Sequence, residues 1–139
     1  MKYLLDTCVL SESRKKRANP SVVAWLNSVD ENRLYVSVIA MAEIQKGISK
    51  LADSSQKRDL QLWLDQALLP RFGVRVLDVS KDVALLWGVM QGSFAKKGET
   101  LPVIDSLLGV TAMHHDLTLV TRNTADFERM PVELVNPWD

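Results

Sequence analysis

The chain has 139 residues, 47% of them hydrophobic and 24% charged, the balance of a folded globular chain and not of a disordered one. Its 17 basic and 17 acidic residues cancel to a formal net charge of zero, which argues against holding nucleic acid by bulk electrostatics and leaves only local concentrations of charge to do so. The one cysteine, Cys8, excludes an internal disulfide and a cysteine-based zinc site and reads as a small core residue. Apolar stretches are broken by charge or glycine well before the roughly 20 residues of a membrane span. The opening Met1-Lys-Tyr-Leu-Leu-Asp6 reaches an acid after three apolar residues, unlike a signal peptide. The expectation is one cytoplasmic domain over residues 1–139, with no membrane partner.

In chain order, Lys2 to Leu5 predicts a short buried strand. Asn19-Pro20 opens a helix to about Ser28, with Asn as cap and Pro at the first helical position. Arg33 to Val38 is rich in β-branched and aromatic residues and predicts a second strand. A helix follows from about Ile39 to Ala52, with Ala40, Ile44, Ile48 and Leu51 at helical spacing. Asp53-Ser54-Ser55 signals a cap, and the next helix runs to about Leu69, ended by Pro70 and Gly73. Val74 to Val79 predicts a third strand. Ser80 caps a helix through Val83, Ala84, Trp87 and Met90. Lys96 to Pro102 is a loop, followed by a helix with Asp105, Leu108, Ala112 and Met113. Leu117 to Val120 predicts a fourth strand, Thr121 to Glu128 a loop with one helical turn, and Val132 to Val135 a last strand.

Strands alternating with helices predict an α/β fold: a doubly wound, mainly parallel central sheet of about four to five strands with helices on both faces. Ligands of such sheets bind beyond the carboxyl ends of the strands. Asp6 and Thr121 each follow a strand directly, and the helices bearing Glu43 and Asp105 begin near that edge, which puts both acids in first turns where the helix dipole favours them.

Each acid alone has a plain explanation: Asp6 as a turn or cap residue, Glu43 as an exposed helix residue, Asp105 as a first-turn acid. Glu43 and Asp105 nevertheless interrupt burial-prone apolar stretches, where an unpaired ion is expensive. Gathered acids also repel, by roughly 3 kcal/mol per pair at about 5 Å and an effective dielectric of about 20. A shared divalent cation would partner all three, and hard oxygen donors select Mg²⁺ or Mn²⁺ over zinc. The basic run Arg14-Lys15-Lys16-Arg17 reads as a solvated face or as a guide for a polyanion. Arg122 reads as a phosphate clamp or a surface ion pair. His114 and His115 suit a helix C-terminus and lie too far along the helix to share a metal with Asp105. Trp25, Trp63 and Trp87 read as core. Trp63 with Leu60, Leu64 and Leu68 is alternatively a surface for a partner helix.

Four segments resemble, in order and spacing, the motifs of the PIN-domain ribonucleases, and specifically the VapC-type toxins of bacterial toxin–antitoxin pairs. They are Tyr3-Leu-Leu-Asp6-Thr7-Cys8-Val-Leu-Ser11-Glu12, Val36-Ser37-Val-Ile-Ala-Met-Ala-Glu43-Ile44, Leu101-Pro102-Val-Ile-Asp105-Ser-Leu-Leu108, and Leu119-Val-Thr121-Arg122-Asn123-Thr124-Ala-Asp126-Phe127. The ending Val135-Asn-Pro-Trp138 is similar to tails of the same subgroup. The resemblance implies an endoribonuclease in which Asp6, Glu43 and Asp105 hold Mg²⁺ (or Mn²⁺), together with a cognate antitoxin and a homodimer. Thr7, Thr121, Asn123 and Asp126 are candidate supporting residues. Many PIN domains carry an acid where this chain has Asn123, which can still offer an amide oxygen or orient a water; Asp126 reads either as the source of the missing charge or as a cap or turn acid.

Other readings of the same residues are a PIN fold that has lost catalysis and binds only, a receiver domain, and a phosphatase of the haloacid-dehalogenase type using Asp6. A receiver wants an acid pair after the first strand and a Lys after the last; Asp6-Thr7 is no pair and no Lys follows Thr121. The phosphatase wants an Asp two residues after the nucleophile, where Cys8 stands. No glycine-rich phosphate loop follows Leu5.

Overall fold

A computed structural model describes all residues, Met1–Asp139. Its strands are β1 (Tyr3–Leu5), β2 (Leu34–Ser37), β3 (Val76–Leu77), β4 (Thr118–Val120) and β5 (Leu134–Val135). They form a five-stranded, all-parallel sheet in the order β3-β2-β1-β4-β5. The helices are α1 (Thr7–Arg14), α2 (Pro20–Ser28), α3 (Val38–Ser49), α4 (Ser55–Leu62), α5 (Leu69–Phe72), α6 (Lys81–Lys96) and α7 (Val103–His114). No helix is long and apolar enough to cross a membrane.

The strands bury both faces, as parallel strands covered by helices do. Leu5, Leu34, Val36 and Val120 join one apolar cluster with Val9 and Leu10 of α1, Val22 of α2 and Ile44 and Ile48 of α3. Leu4 and Leu119 point the other way, into a second cluster with Phe94 of α6, Leu108 and Ala112 of α7, and Phe127. The two-residue side-chain period of each strand thus divides the core into two layers. Each such leucine contributes about 1.5–3 kcal/mol by leaving water.

Helix starts follow local chemistry. The Asn19 side chain accepts from the Ser21 and Val22 amides, Ser54 from Lys57 and Ser80 from Val83. Pro70 does not end its helix. The chain widens into a π-helical segment over Trp63–Leu68 and continues through Pro70 to Phe72. A π turn shifts the backbone bonding register, so the missing proline amide interrupts no regular α ladder. Gly73, at φ 50°, ends the helix instead.

The third strand is shorter than the predicted Val74 to Val79. Residues Gly73–Arg75 form a 3₁₀ turn, and the Arg75 guanidinium donates to the Glu31, Leu34 and Arg71 carbonyls at 2.6 to 2.7 Å. A side chain thereby occupies the start of β2, where a longer β3 would have paired, and Val74 is left 97% exposed.

Strand order reverses beside β1, whose neighbours are β2 and β4. In open parallel sheets the crevice at such a switch point, beyond the strand C-termini, is the binding position. Asp6 leaves β1 there and Thr121 leaves β4.

Candidate functional site

Asp6 sits where β1 becomes α1. Its backbone is still extended (φ −72°, ψ 159°) and its amide donates to the Val120 carbonyl at 2.9 Å, prolonging the β1–β4 ladder by one step. Its carboxylate is buried. Oδ1 accepts from the Thr7 amide at 2.7 Å and Oδ2 from the Thr121 hydroxyl at 2.8 Å. The Thr121 hydroxyl in turn accepts from the Asn123 amide at 3.0 Å. Thr7 also faces the next acid, its hydroxyl donating to Glu43 Oε1 at 2.9 Å. One threonine, 36 positions from Glu43 in sequence, therefore ties Asp6 and Glu43 together.

Glu43 differs from its predicted setting. It lies in the second turn of α3, beyond the reach of the dipole at Val38, and it is exposed. Its apolar neighbours Ile44 and Ile48 face the core, while Ala42, Glu43 and Lys46 form the outer face of the helix. Asp105 is in the first turn of α7, as predicted, and half-buried. Its carboxyl is held above the usual aspartate range, first by burial and then by the negative charges of Asp126, Asp6 and Glu43. The other three acids thus converge on Asp105, and α3 and α7 share a groove lined by Glu43 and Ile104.

Asp126, in the 3₁₀ turn Thr124–Phe127, acts on Asp105 more strongly than Asp6 or Glu43 does. Asn123 contributes its backbone, donating to Thr121 and accepting from the Asp126 amide at 3.1 Å. Of the two candidates for a fourth residue, Asp126 is the one whose charge reaches Asp105.

As the side chains stand, no three His, Cys, Asp or Glu are close enough together to hold a metal ion between them. The donors are instead spaced hard oxygens, two of them already fixed on Asp6 by hydrogen bonds. That donor set fits a cation such as Mg²⁺ or Mn²⁺, which is commonly held by one or two carboxylates and keeps waters of its own.

The basic run divides. Arg14, the last residue of α1, lies over the Trp63 ring at 5.7 Å, and with Lys15 it lines a groove that also holds Thr7 and Glu43. Lys15 is paired at 3.0 Å with the buried Glu12, which also accepts from the Asn19 amide. Lys15 first, and then that amide, hold the Glu12 carboxyl below the usual range. Lys16 and Arg17 are exposed beyond this groove. Arg122 lies over the Trp138 ring at 5.3 Å.

Cys8 is half-buried, its sulfur 3.8 Å from both Asp6 Oδ2 and Thr121 Oγ1. Burial pushes its thiol up from the ordinary value, so it is no thiolate nucleophile at neutral pH. His114 and His115 are exposed at the end of α7. Trp25 meets Tyr3 edge-on at 5.0 Å, and Trp87 donates from Nε1 to Ser106 at 2.9 Å. Sequence reasoning passed over Lys46, Lys50 and Ser106. Lys46, at the i+3 position from Glu43 on an exposed helix face, was the available signal.

The PIN domain family pattern matches residues 3–133. The chain is 35% identical over 135 residues to the toxin FitB of Neisseria gonorrhoeae, covering 97% of each protein. It is 28% identical over 136 residues to VapC ribonuclease Y4jK of Sinorhizobium fredii, covering 98% of this chain and 97% of that protein. Among solved structures, FitAcB from Neisseria gonorrhoeae superposes with a TM-score of 0.88 at 36% identity over 98% of both chains. VapBC2 from Rickettsia felis, bound to a fragment of promoter DNA, superposes with a TM-score of 0.80 at 30% identity over the whole of both chains.

Proposed function

The chain belongs to the PIN-domain family, and on that premise we propose that it is a metal-dependent endoribonuclease, the toxin of a type II toxin–antitoxin pair. The observation that carries this reading is the convergence of Asp6, Glu43 and Asp105, from three separate elements, at the switch point of the sheet. Relatives named as a toxin and as a VapC ribonuclease, aligned over nearly the full chain, support it.

Asp6, Glu43 and Asp105, with Asp126 beside them, are the residues that would hold Mg²⁺ or Mn²⁺. Such a cation, when bound, supplies a water of lowered pKa as nucleophile and offsets charge on the scissile phosphate. The protein's part is positioning. Thr7 and Thr121 fix both oxygens of Asp6, and Thr7 turns Glu43 toward it. Asp105, half-buried among three like charges, holds a proton more readily than an ordinary aspartate does. With the Cys8 thiol protonated and both histidines at the far end of α7, no side-chain nucleophile competes.

The proposal extends to a cytoplasmic homodimer with a cognate antitoxin. The FitAcB and VapBC2 structures support such a partner.

The test is RNA cleavage in Mg²⁺ by the wild type and by Asp6→Asn and Asp105→Asn. The wild type cuts; both variants fall to background with circular dichroism unchanged. Cutting by both variants at the wild-type rate would remove these residues from the site. A folded wild type that binds RNA without cutting it, in Mg²⁺ or Mn²⁺, would leave the binding-module reading. In cells, expression arrests growth and the cognate antitoxin relieves the arrest.

A further inference from the structure

Two grooves open on either side of Glu43. One, about 330 Å³, runs past Arg14 and Lys15 to the Trp63 ring. The other, about 310 Å³, runs past Lys46 and Lys50 with Ile104 on its far wall. Two residues line both grooves, Glu43 and Gly47. The grooves therefore meet along α3 at Glu43 and, one turn on, at Gly47, where the helix carries no side chain.

Nothing inside the chain requires glycine at position 47. It lies within a regular helix, and a Cβ built there meets no atom within 4 Å. Glycine in that setting costs about 1 kcal/mol relative to alanine. A bare helix saddle between two grooves is the feature that lets an extended chain cross from one to the other.

The charge of the channel selects its occupant. Arg14, Lys46 and Lys50 take part in none of the chain's ion pairs. Lys15 alone is neutralised, by Glu12. Three of the chain's unpaired cations thus lie along one track beside its acids. The half-buried Trp63 ring, with the Arg14 guanidinium 5.7 Å over it, adds an aromatic wall at one end. A cationic track with an aromatic platform is how proteins hold single-stranded nucleic acid without reading its sequence.

We propose that single-stranded RNA crosses α3 over Gly47, with phosphates on Lys46 and Lys50 on one side and on Arg14 on the other, and with an unpaired base against Trp63. This rests on the nuclease reading and adds to it the route of the substrate and its positioning residues.

The experiment measures binding of a short labelled single-stranded RNA in EDTA, across a range of KCl, by fluorescence anisotropy. Cleavage in Mg²⁺ and thermal melting are followed alongside. The proteins are the wild type, Lys46→Ala with Lys50→Ala, and Gly47→Leu. Loss of two phosphate contacts lowers the slope of log K against log salt by about 1.4, at roughly 0.7 per single-strand contact. Affinity in low salt falls about tenfold or more, and KM rises with kcat held, the mark of lost ground-state binding. Gly47→Leu melts no lower than wild type, because leucine is the better helix former, yet it binds RNA as weakly as the double variant. If the wild type is active and both variants bind and cut as it does, the RNA runs elsewhere. Variants that keep RNA affinity but lose the antitoxin would assign the channel to the protein partner and overturn the proposal. A wild type that neither binds nor cuts RNA would instead sink the nuclease reading itself.

Discussion

Thr121 and Asp6 meet at the C-terminal ends of two adjacent parallel strands, the Thr121 hydroxyl donating to Asp6 Oδ2 at 2.8 Å with both residues buried. The pairing follows from register. Leu5 lies opposite Val120, and one step further on the Asp6 amide still reaches the Val120 carbonyl. The sheet itself therefore sets the position of the first acid. Thr121→Val keeps the shape and removes the bond, leaving a buried carboxylate one donor short. It should lower stability by about 1.5–3 kcal/mol, the range for bonds to charged groups. Removing such a supporting contact should also cut cleavage by roughly 10- to 100-fold, while Thr121→Ser restores both. Urea unfolding at unchanged m-value and kcat/KM check this. Wild-type cleavage by the valine variant would refute it.

Asp105 makes the metal-free protein pay for its site. Its carboxyl is raised by burial first and by Asp126, Asp6 and Glu43 after that, so the folded state holds the Asp105 proton more tightly than the unfolded state does. Its ionised form opposes folding at neutral pH. That opposition is relieved as pH falls through the raised folded value, and the relief is complete below the unfolded value of about 3.9. Glu12 and Glu31 act in the opposite sense. Lys15 chiefly lowers the first and Arg71 chiefly the second, so their stabilisation is present above the unfolded value of about 4.3 and is lost as pH drops through their depressed folded values. Asp105→Asn should therefore melt higher than wild type at pH 7 without metal. The gain is about 1 kcal/mol or less, since solvent screens a half-exposed carboxyl, and it shrinks on acidification. One kcal/mol corresponds to roughly 3–5 °C for a domain of this size. Adding Mg²⁺ should raise the wild type more than the variant. A metal-free Asp105→Asn protein that melts lower at pH 7 would contradict this account.

What was legible in the sequence is what local chemistry decides. Asn19-Pro20, Ser54 and Ser80 announce helix starts because a side-chain oxygen and nearby amides suffice to make a cap. The strands are legible from apolar runs buried on both sides, as Leu4 and Leu5 are. What failed depends on distant partners. The start of β3 is set by Arg75 reaching Leu34, 41 positions away. Passage through Pro70 depends on a π turn that leaves no pattern in composition. Of the acids, strand order alone places Asp6 at the sheet edge with the helices of Glu43 and Asp105 beginning near it, and those two acids show as charges interrupting apolar stretches; the motif resemblance adds their joint role. The solvent exposure of Glu43, its bond to Thr7 and the lysines beside it belong to the relative rotation of α1, α3 and α7, on which no single segment carries information.

Ser106, next to Asp105, is a buried hydroxyl with three partners. It accepts from Trp87 Nε1 at 2.9 Å and Gln91 Nε2 at 3.1 Å, and donates to the Val103 carbonyl at 3.0 Å. Gln91 also donates to the Leu101 carbonyl at 3.1 Å. Trp87 and Gln91 are one turn apart on α6, so this cluster clamps the first turn of α7 and the acid it carries. Ser106→Ala leaves two donors short of an acceptor and should cost about 1–3 kcal/mol. Cleavage should fall with it, because the turn bearing Asp105 loosens. A double-mutant cycle with Trp87→Phe should show a coupling of about 0.5–3 kcal/mol. Strict additivity with full activity would mean that the cluster does not position Asp105.

Gly109 lies one turn beyond Asp105 on α7 and packs against the segment that carries Asp126. A Cβ at this position would collide with the Met130 ε-methyl, with Met130 Sδ at 3.1 Å and Phe127 Cδ1 at 3.7 Å. Close approach of helix and turn thus depends on the missing side chain, and that approach brings Asp126 to bear on Asp105. Met130 is flexible at its end, so Gly109→Ala should be tolerated at about 1–3 kcal/mol, the usual range for overpacking. Gly109→Val, with a second branch and no room to turn, should cost more. In both, cleavage should fall further than stability explains, because the turn moves away from Asp105. Pairing Gly109→Ala with Met130→Ala vacates the colliding atoms, and the pair should cleave faster than Gly109→Ala alone. If shortening Met130 rescues nothing, the glycine serves the helix and not the spacing of the two acids.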